Sequence, residues 1–238
     1  NPAVQDYVFG IVDNLMTKYP GIAYFKWDCN SPITNIYSAY LKDKQSHIYI
    51  EHVRGLYNVL KRVKAKYPEL PMMLCSGGGA RCDYEALKYF TEFWASDNTD
   101  GVERIYIQWG FSHLFPAKSI AAHVTSWGKQ PLKFRLDVAM MCKLGFDIQL
   151  KEMSENEQKL CQDVVKNFKR LQPVILDGDM YRLVSPYDTD HAAVIYNSKD
   201  KNKAILFAYD IHPRFAEQLQ PVRLNGLDPD KRYKVEEI

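Results

Sequence analysis

Two short motifs each place a carboxylate where an apolar segment gives way to a polar loop. Asp28 lies in the run Lys26-Trp27-Asp28-Cys29-Asn30, and Asp97 lies in the run that extends from Trp94 to Asp100. Glycoside hydrolysis needs two carboxyl groups on opposite sides of the scissile bond. In a (β/α) barrel, catalytic groups come from the carboxyl ends of several strands. The two motifs therefore suggest a pair of catalytic aspartates.

The first motif has a catalytic and a structural interpretation. Lys26 precedes Asp28 by two residues, so in a strand both side chains lie on the same face. A neighbouring ammonium keeps a carboxylate ionised, which suits a nucleophile. A structural ion pair at the end of the strand would require the same two residues. The motif by itself favours neither interpretation.

The second motif contains more polar residues. Asp100 precedes an apolar segment that begins at Val102, so it is predicted to be the N-cap of a helix. Asp97 could occupy a turn, but pairing with Asp28 favours a functional role. A retaining mechanism requires the two carboxyl groups to lie about 5–5.5 Å apart. The sequence does not give this distance.

A glycine-rich run, Cys75-Ser76-Gly77-Gly78-Gly79, follows another apolar segment. Glycines let a backbone approach a ligand closely with its N–H groups exposed. A phosphate cradle and a simple tight turn are alternatives, although the usual nucleotide-binding fingerprints are absent. Cys75 could equally be a small buried apolar residue.

The remaining titratable residues give weaker signals. The histidines and cysteines show no metal-ligand spacing, so no metal site is predicted. His123 is interpreted as a structural histidine, and Arg81 with Asp83 as a local ion pair.

Composition excludes several classes of protein. The net charge of +2 gives no reason to expect nucleic acid or a membrane as a partner. No apolar stretch is long enough to cross a bilayer. The 46% hydrophobic content is ordinary for a globular protein. The five cysteines are odd in number, which favours a reducing compartment.

Apolar periodicity predicts an α/β fold. Strands are expected at 22–27, 72–75, 92–95, 119–125 and 145–150. Helices are expected at 4–18, 47–66, 84–90, 102–111, 132–143 and 154–171. Such alternation is typical of parallel sheets, so residues 1–172 are predicted to form the last five strands or so of a (β/α)8 barrel. Residues 173–238 are predicted to begin an antiparallel β domain, with strands near 180–184, 192–196 and 204–209.

These motifs together resemble glycoside hydrolase family 36, the large microbial α-galactosidases. The family pattern K-W-D-x-N stands at 26–30, C-S-G-G-G-x-R at 75–81 and W-x-S-D-x-T-D at 94–100. Residues 122–126 and 135–140 resemble the family's A-H-V-S and R-x-x-V-A-M segments, and 178–183 and 227–233 resemble its C-terminal β domain. The likeness extends over nearly the whole chain, with the motifs in the same order.

The resemblance implies an enzyme that releases terminal α-galactose from oligosaccharides such as melibiose and raffinose, by double displacement. Asp28 would be the nucleophile and Asp97 the acid/base. Contacts with galactose would come from five residues, Lys26, Asn30, Cys75, Gly78 and Trp94. The resemblance implies no metal or organic cofactor. It also suggests a homo-oligomer in the full-length form, and a cytoplasmic location is expected.

The chain also departs from the family pattern. Arg81-Cys82-Asp83-Tyr84 differs from the usual R-F-D-P at two positions, and Cys29 stands where methionine is frequent. The upstream barrel strands and the large N-terminal β domain of the family are not in this chain, and its C-terminal module is expected to be shortened. We therefore expect a fragment with little activity unless upstream strands are supplied.

Three alternatives stay open at this point. The same family includes related activities, namely α-N-acetylgalactosaminidase and galactosyl transfer between sugars. A non-catalytic carbohydrate-binding relic is a second possibility. A phosphate-binding α/β enzyme that uses the glycine run is the third.

Overall fold

A computed structural model describes residues 1–30, 34–218 and 220–238. The chain divides into two compact units, Asn1–Trp94 and Ala95–Ile238. Among the described residues, no helix combines the length and apolar character needed to cross a membrane.

The first unit alternates helices and strands. Its elements are α1 (Pro2–Lys18), β1 (Phe25–Asp28), α2 (Ile48–Lys66), β2 (Met72–Cys75) and β3 (Glu92–Trp94). The side chain of Asn1 accepts a hydrogen bond from the Ala3 N–H at 3.0 Å, and proline at the first helical position suits the start of α1. Helix α2 ends at Lys66, just before Tyr67 and Pro68, as expected ahead of a proline.

The three strands of this unit are parallel neighbours in chain order. Phe25 pairs with Met72, Asp28 with Cys75, and Met73 with Glu92. All four residues of β2 are buried, which explains why its sequence is a continuous apolar run. Because the register places Asp28 beside Cys75, these two side chains lie on the same face of the sheet.

The second unit begins with two helices and two parallel strands that alternate as in the first unit. They are α3 (Gly101–Phe111), β4 (Ile120–Thr125), α4 (Leu132–Met140) and β5 (Lys143–Asp147). Strands β4 and β5 are parallel, with His123 opposite Gly145. A helix, α5 (Glu155–Asp177), follows and begins with a complete capping box formed by Ser154 and Glu157.

An antiparallel sheet completes the second unit. It has the order β6 (Asp179–Val184), β7 (His191–Asn197) and β8 (Ala204–Asp210). Strand β7 is buried along most of its length, and the Tyr196 hydroxyl donates a hydrogen bond to the Met141 carbonyl at 2.7 Å. This sheet confirms the predicted antiparallel strands.

Several predicted element bounds are wrong. Residues 84–90 form a single 3-10 turn, Ala86–Lys88, and not the predicted helix. Helix α5 continues to Asp177, past Pro173 and the predicted end at Leu171. Strand β1 begins at Phe25 and includes Asp28, and β5 lies at 143–147, before its predicted position.

Candidate functional site

Asp28 and Lys26 form the centre of the candidate site in the first unit. Lys26 Nζ lies 3.7 Å from Asp28 Oδ2, and the two side chains are 46% and 37% exposed. Lys26 Nζ also lies 5.3 Å from the centroid of the buried Trp94 ring. The ammonium thus connects the carboxylate to an aromatic face, an arrangement in which ion pairing and cation–π attraction both act.

Cys75 lies beside Asp28 in the neighbouring strand. Burial raises the pKa of the Cys75 thiol, whereas the Gly78 backbone N–H and the Lys26 ammonium act in the opposite direction. A hydrogen bond to the Asp28 carboxylate adds to the increase in the pKa of this thiol. Cys75 therefore remains a neutral thiol at neutral pH and can donate its proton to the carboxylate.

Hydrogen bonds hold together the two loops that follow β1 and β2. The Cys29 N–H donates to the Cys75 carbonyl at 3.2 Å, and the Ser76 hydroxyl donates to the Cys29 carbonyl at 2.7 Å. Asn30 Oδ1 accepts a hydrogen bond from the Gly77 N–H. Gly77 and Gly78 have φ values of +56° and +89°, a region that favours glycine. The glycine run therefore makes a tight turn that fixes Asn30 next to the end of β2.

A further buried carboxylate lies on the same face of this sheet and was missed by sequence reasoning. Glu92 is 7% exposed, and its carboxylate accepts a hydrogen bond from the Tyr24 hydroxyl. Burial and this carboxylate raise the pKa of Tyr24 above its ordinary value. Glu92 begins strand β3, whereas the sequence pattern points to catalytic acids only at the carboxyl ends of strands, so its position gave no signal.

Asp97 lies in the second unit, on a loop with its own hydrogen-bond network. The Asn98 N–H donates to Ser96 Oγ at 3.1 Å, and the Asp100 N–H donates to Asn98 Oδ1 at 3.1 Å. Asp97 itself is exposed at the surface of this loop. Asp100 Oδ1 accepts hydrogen bonds from the N–H groups of Val102 and Glu103 at 2.9 and 3.2 Å, which confirms its predicted N-cap role.

A buried arginine supports the Asp97 loop through a hydrogen bond to its backbone. Arg104 is 2% exposed and donates to the Ala121 carbonyl at 2.6 Å and the Ser96 carbonyl at 3.3 Å. Burial lowers the pKa of Arg104 to about 10, so the guanidinium stays charged at neutral pH. The sequence identified residues 102–111 only as a helix, since nothing in an apolar helical pattern indicates which carbonyls a buried arginine contacts.

The secondary candidates occupy structural positions. Adding a Cβ at Gly145 would bring it within 2.3 Å of the His123 ring, so the imidazole fills the space above that glycine. Asp83 Oδ1 accepts a hydrogen bond from the Ala86 N–H at 2.8 Å, and its other oxygen accepts from the Tyr57 hydroxyl. The ion pair between Arg81 and Asp83 stays a prediction.

Six of the seven predicted site residues gather in the first unit. They are Lys26, Asp28, Asn30, Cys75, Gly78 and Trp94, while Asp97 belongs to the second unit. Within residues 1–30, 34–218 and 220–238, no group of histidine, cysteine, aspartate and glutamate side chains is arranged to hold a metal ion.

Comparisons with known proteins match both parts of the chain. The Melibiase family model matches residues 1–178, and the model of the glycosyl hydrolase family 36 C-terminal domain matches residues 191–238. Alpha-galactosidase 1 of Pediococcus pentosaceus is 34% identical over 239 residues, covering 98% of this chain and 32% of that protein. Alpha-galactosidase AgaA of Geobacillus stearothermophilus is 32% identical over 240 residues, covering 98% of this chain and 33% of that protein.

Solved structures show the same similarity. The crystal structure of AgaA matches with a TM-score of 0.91 at 32% identity, over 96% of this chain and 33% of that chain. An AgaA variant in complex with raffinose matches with a TM-score of 0.92 at 31% identity, over 96% of this chain and 33% of that one. The chain thus spans about a third of the length of these relatives. The likeness confirms the predicted partial barrel followed by an antiparallel β module.

Proposed function

This chain belongs to glycoside hydrolase family 36, and we propose that it carries the nucleophile and the acid/base of a retaining α-galactosidase. The observation that carries the proposal is the cluster around Asp28, in which Lys26 lies 3.7 Å from the carboxylate and 5.3 Å from the Trp94 ring centroid. An exposed carboxylate at a strand end, with an ammonium beside it, suits attack on a sugar. Curated relatives at 32–34% identity are named α-galactosidases, which supports galactose as that sugar.

The proposed reaction proceeds in two displacements. Asp28 attacks the anomeric carbon while the protonated Asp97 donates its proton to the glycosidic oxygen, so the bond to the leaving group breaks. A galactosyl ester of inverted configuration forms on Asp28. Asp97, now ionised, removes a proton from water, and the water oxygen attacks the anomeric carbon as Asp28 departs. Two inversions restore the α configuration.

The polar groups around Asp28 would bind the galactose. Lys26 and Asn30 offer hydrogen-bonding groups for hydroxyls, and Gly78 is proposed to allow a close approach of the sugar. The Cys75 thiol is buried beside Asp28, so we propose that it acts through its hydrogen bond to that carboxylate. Trp94 is 5% exposed and its ring lies under the Lys26 ammonium, so its proposed part in galactose binding is to position that ammonium. The relative AgaA has been crystallised with raffinose and with stachyose as variants. We propose oligosaccharides with a terminal α-linked galactose as substrates of this protein as well.

The first test is hydrolysis of p-nitrophenyl α-galactoside by the native polypeptide that carries this sequence. Asp28→Asn should lower kcat by about 10⁴-fold or more, because the amide is a poor nucleophile and forms no ester. Asp147→Asn is the matched control, since Asp147 is also an exposed aspartate at the carboxyl end of a parallel strand. An unaffected Asp28→Asn variant, or equal losses in both variants, would contradict the role of Asp28.

Azide rescue assigns the two roles separately. In Asp28→Gly, azide can enter the vacated space and attack once, which yields β-galactosyl azide. In Asp97→Gly, the galactosyl ester still forms from a substrate with a good leaving group, and azide then yields the α product. The stereochemistry of each product, read by NMR, identifies the nucleophile and the acid/base. Exchanged stereochemistries would reverse the two assignments.

We also propose a homo-oligomeric native form and a cytoplasmic location. All five cysteines are free thiols, which is consistent with a reducing compartment. Sedimentation velocity of the native polypeptide tests the first proposal, and cell fractionation tests the second.

A further inference from the structure

We propose that Trp127 is the platform on which the leaving-group sugar of the substrate packs. The proposal rests on the proposed function and extends it to a residue outside the motifs that carry the family resemblance. Trp127 lies two residues past the end of β4, in a loop that connects a parallel strand to the following helix. Loops in this position form the substrate-binding face of (β/α) barrels.

The indole of Trp127 is available to a ligand. The residue is 57% exposed, whereas the other three tryptophans of the chain are 5–8% exposed. A large apolar ring in water gains free energy when it is covered, and aromatic rings suit the C–H faces of sugars. A single exposed ring can also be incidental, so the surroundings of Trp127 decide the argument.

The base of the loop is fixed by hydrogen bonds. The Trp127 N–H donates to Thr125 Oγ1 at 3.1 Å, and Thr125 Oγ1 lies 2.7 Å from Thr99 Oγ1. The guanidinium of Arg135 donates to the Thr125 carbonyl. The Trp127 backbone is therefore tied to the end of strand β4, and Arg135 of helix α4 holds that strand end.

A second set of contacts fixes the other side of the indole-bearing loop. Gly128 has a φ of +85°, and a Cβ at this position would lie 2.3 Å from both Asp100 Oδ2 and Gln130 Oε1. Gln130 Nε2 donates to Asp100 Oδ2 at 3.1 Å. Only glycine fits between these two side chains, so the loop is anchored on Asp100 immediately after the tryptophan.

These contacts connect Trp127 to the loop that carries the proposed acid/base. Thr99 and Asp100 belong to the same short loop as Asp97. An acid/base must lie next to the glycosidic oxygen, because its proton goes to the departing group. We therefore propose that a ring anchored to that loop contacts the departing sugar.

The test compares two substrates in the native polypeptide that carries this sequence. Raffinose has a sugar leaving group, and α-galactosyl fluoride has only fluoride, which offers no face to pack on. Trp127→Ala should lower kcat/KM for raffinose about tenfold, which corresponds to the loss of one aromatic contact. The same variant should change kcat/KM for α-galactosyl fluoride less than about twofold. Trp127→Phe should restore most of the loss.

Two further variants make the test specific. Gly128→Ala should also lower kcat/KM for raffinose, since a Cβ there would meet Asp100 and Gln130 and displace the loop. Phe215→Ala is the matched control, because Phe215 is a fully exposed ring outside this loop, and it should change neither substrate.

The outcomes separate the two proposals. Equal effects of Trp127→Ala on both substrates, or no effect on either, would overturn the platform while leaving the galactosidase intact. A native polypeptide that hydrolyses neither substrate would overturn both the proposed function and the platform.

Discussion

Cys142 lies inside the second unit with 2% of its surface exposed. Burial raises the pKa of its thiol to about 12, and the charge of the Arg104 guanidinium opposes that increase only in part. The folded protein therefore keeps a proton on this sulfur at pH values where the unfolded chain, with an ordinary pKa of 9.0, has lost it. In that window the unfolded state binds fewer protons, so the free energy of unfolding decreases as pH rises.

Replacing the Cys142 thiol should remove its contribution to the pH dependence of the free energy of unfolding. Between pH 9 and 11 one such group contributes a slope of up to about −1.4 kcal/mol per pH unit to the free energy of unfolding. Cys142→Ala should show a slope shallower by roughly this amount, although it is less stable at pH 7 because it leaves a small cavity. Urea unfolding at several pH values measures both. Parallel curves for the two proteins would contradict the buried, protonated thiol.

The residues that could be predicted from sequence were those whose neighbours are local. Lys26 and Asp28 are two residues apart in a strand, so alternation alone places them on one face. Asp100 was predicted as an N-cap from its position before an apolar segment. Arg104 and Gln130 act through partners that other segments bring to them, and no local pattern specifies such contacts.

At the scale of elements, α5 contains an internal proline. Pro173 is exposed, and the helix continues through it to Asp177. Proline has no backbone N–H, so the hydrogen bond to the Lys169 carbonyl is missing. The flanking residues Leu171, Val174 and Ile175 are all buried. Burial of this apolar face keeps the segment helical in spite of the proline, which is why the predicted end at Leu171 was wrong.

Replacing Pro173 should stabilise the protein. Pro173→Ala restores a helical hydrogen bond at an exposed position, and we expect the free energy of unfolding to rise by about 1–3 kcal/mol. Pro116→Ala is the matched control, since this exposed proline precedes a 3-10 turn with a φ of −70°. At this position the substitution only increases the conformational freedom of the unfolded chain. It should therefore lower the free energy of unfolding by about 0.4–1 kcal/mol. Thermal and urea unfolding of the two variants should therefore move in opposite directions.

The segment 84–90 shows the opposite error in the prediction of elements. Its apolar residues have helical spacing, but Asp83 caps only one turn, with the Ala86 N–H donating to its carboxylate at 2.8 Å. The chain must then reach β3, which begins at Glu92 and pairs with Met73. Too few residues remain for a longer helix. Pairing with a distant strand therefore overrides local periodicity, and a single sequence does not specify such pairing.

At the scale of the whole molecule, helix α1 presents two different faces. One face binds α2 within the first unit, where Asp6 pairs with Arg62 at 2.8 Å and the Tyr67 hydroxyl donates to Asp13 at 2.5 Å. The other face carries an exposed apolar stripe at helical spacing, formed by Val4, Tyr7, Ile11 and Leu15, which are 38–71% exposed. The relatives are about three times as long as this chain. We therefore propose that this stripe is covered in the native polypeptide by segments like those that make the relatives longer.

The exposed apolar stripe on α1 should alter the solution behaviour of the 238-residue chain when this chain is prepared alone. It should bind the dye ANS and self-associate as its concentration rises, because an uncovered apolar helix face promotes association. Ile11→Lys combined with Leu15→Lys should reduce both effects, whereas Leu206→Lys, at an exposed leucine on β8, should not. Fluorescence and sedimentation velocity measure the two effects.

Turnover by the isolated chain should also be at least about 100-fold below that of the native polypeptide, since substrate sites of such barrels draw residues from many strands. A monomeric, dye-free and fully active isolated chain would show that these 238 residues suffice for folding and catalysis.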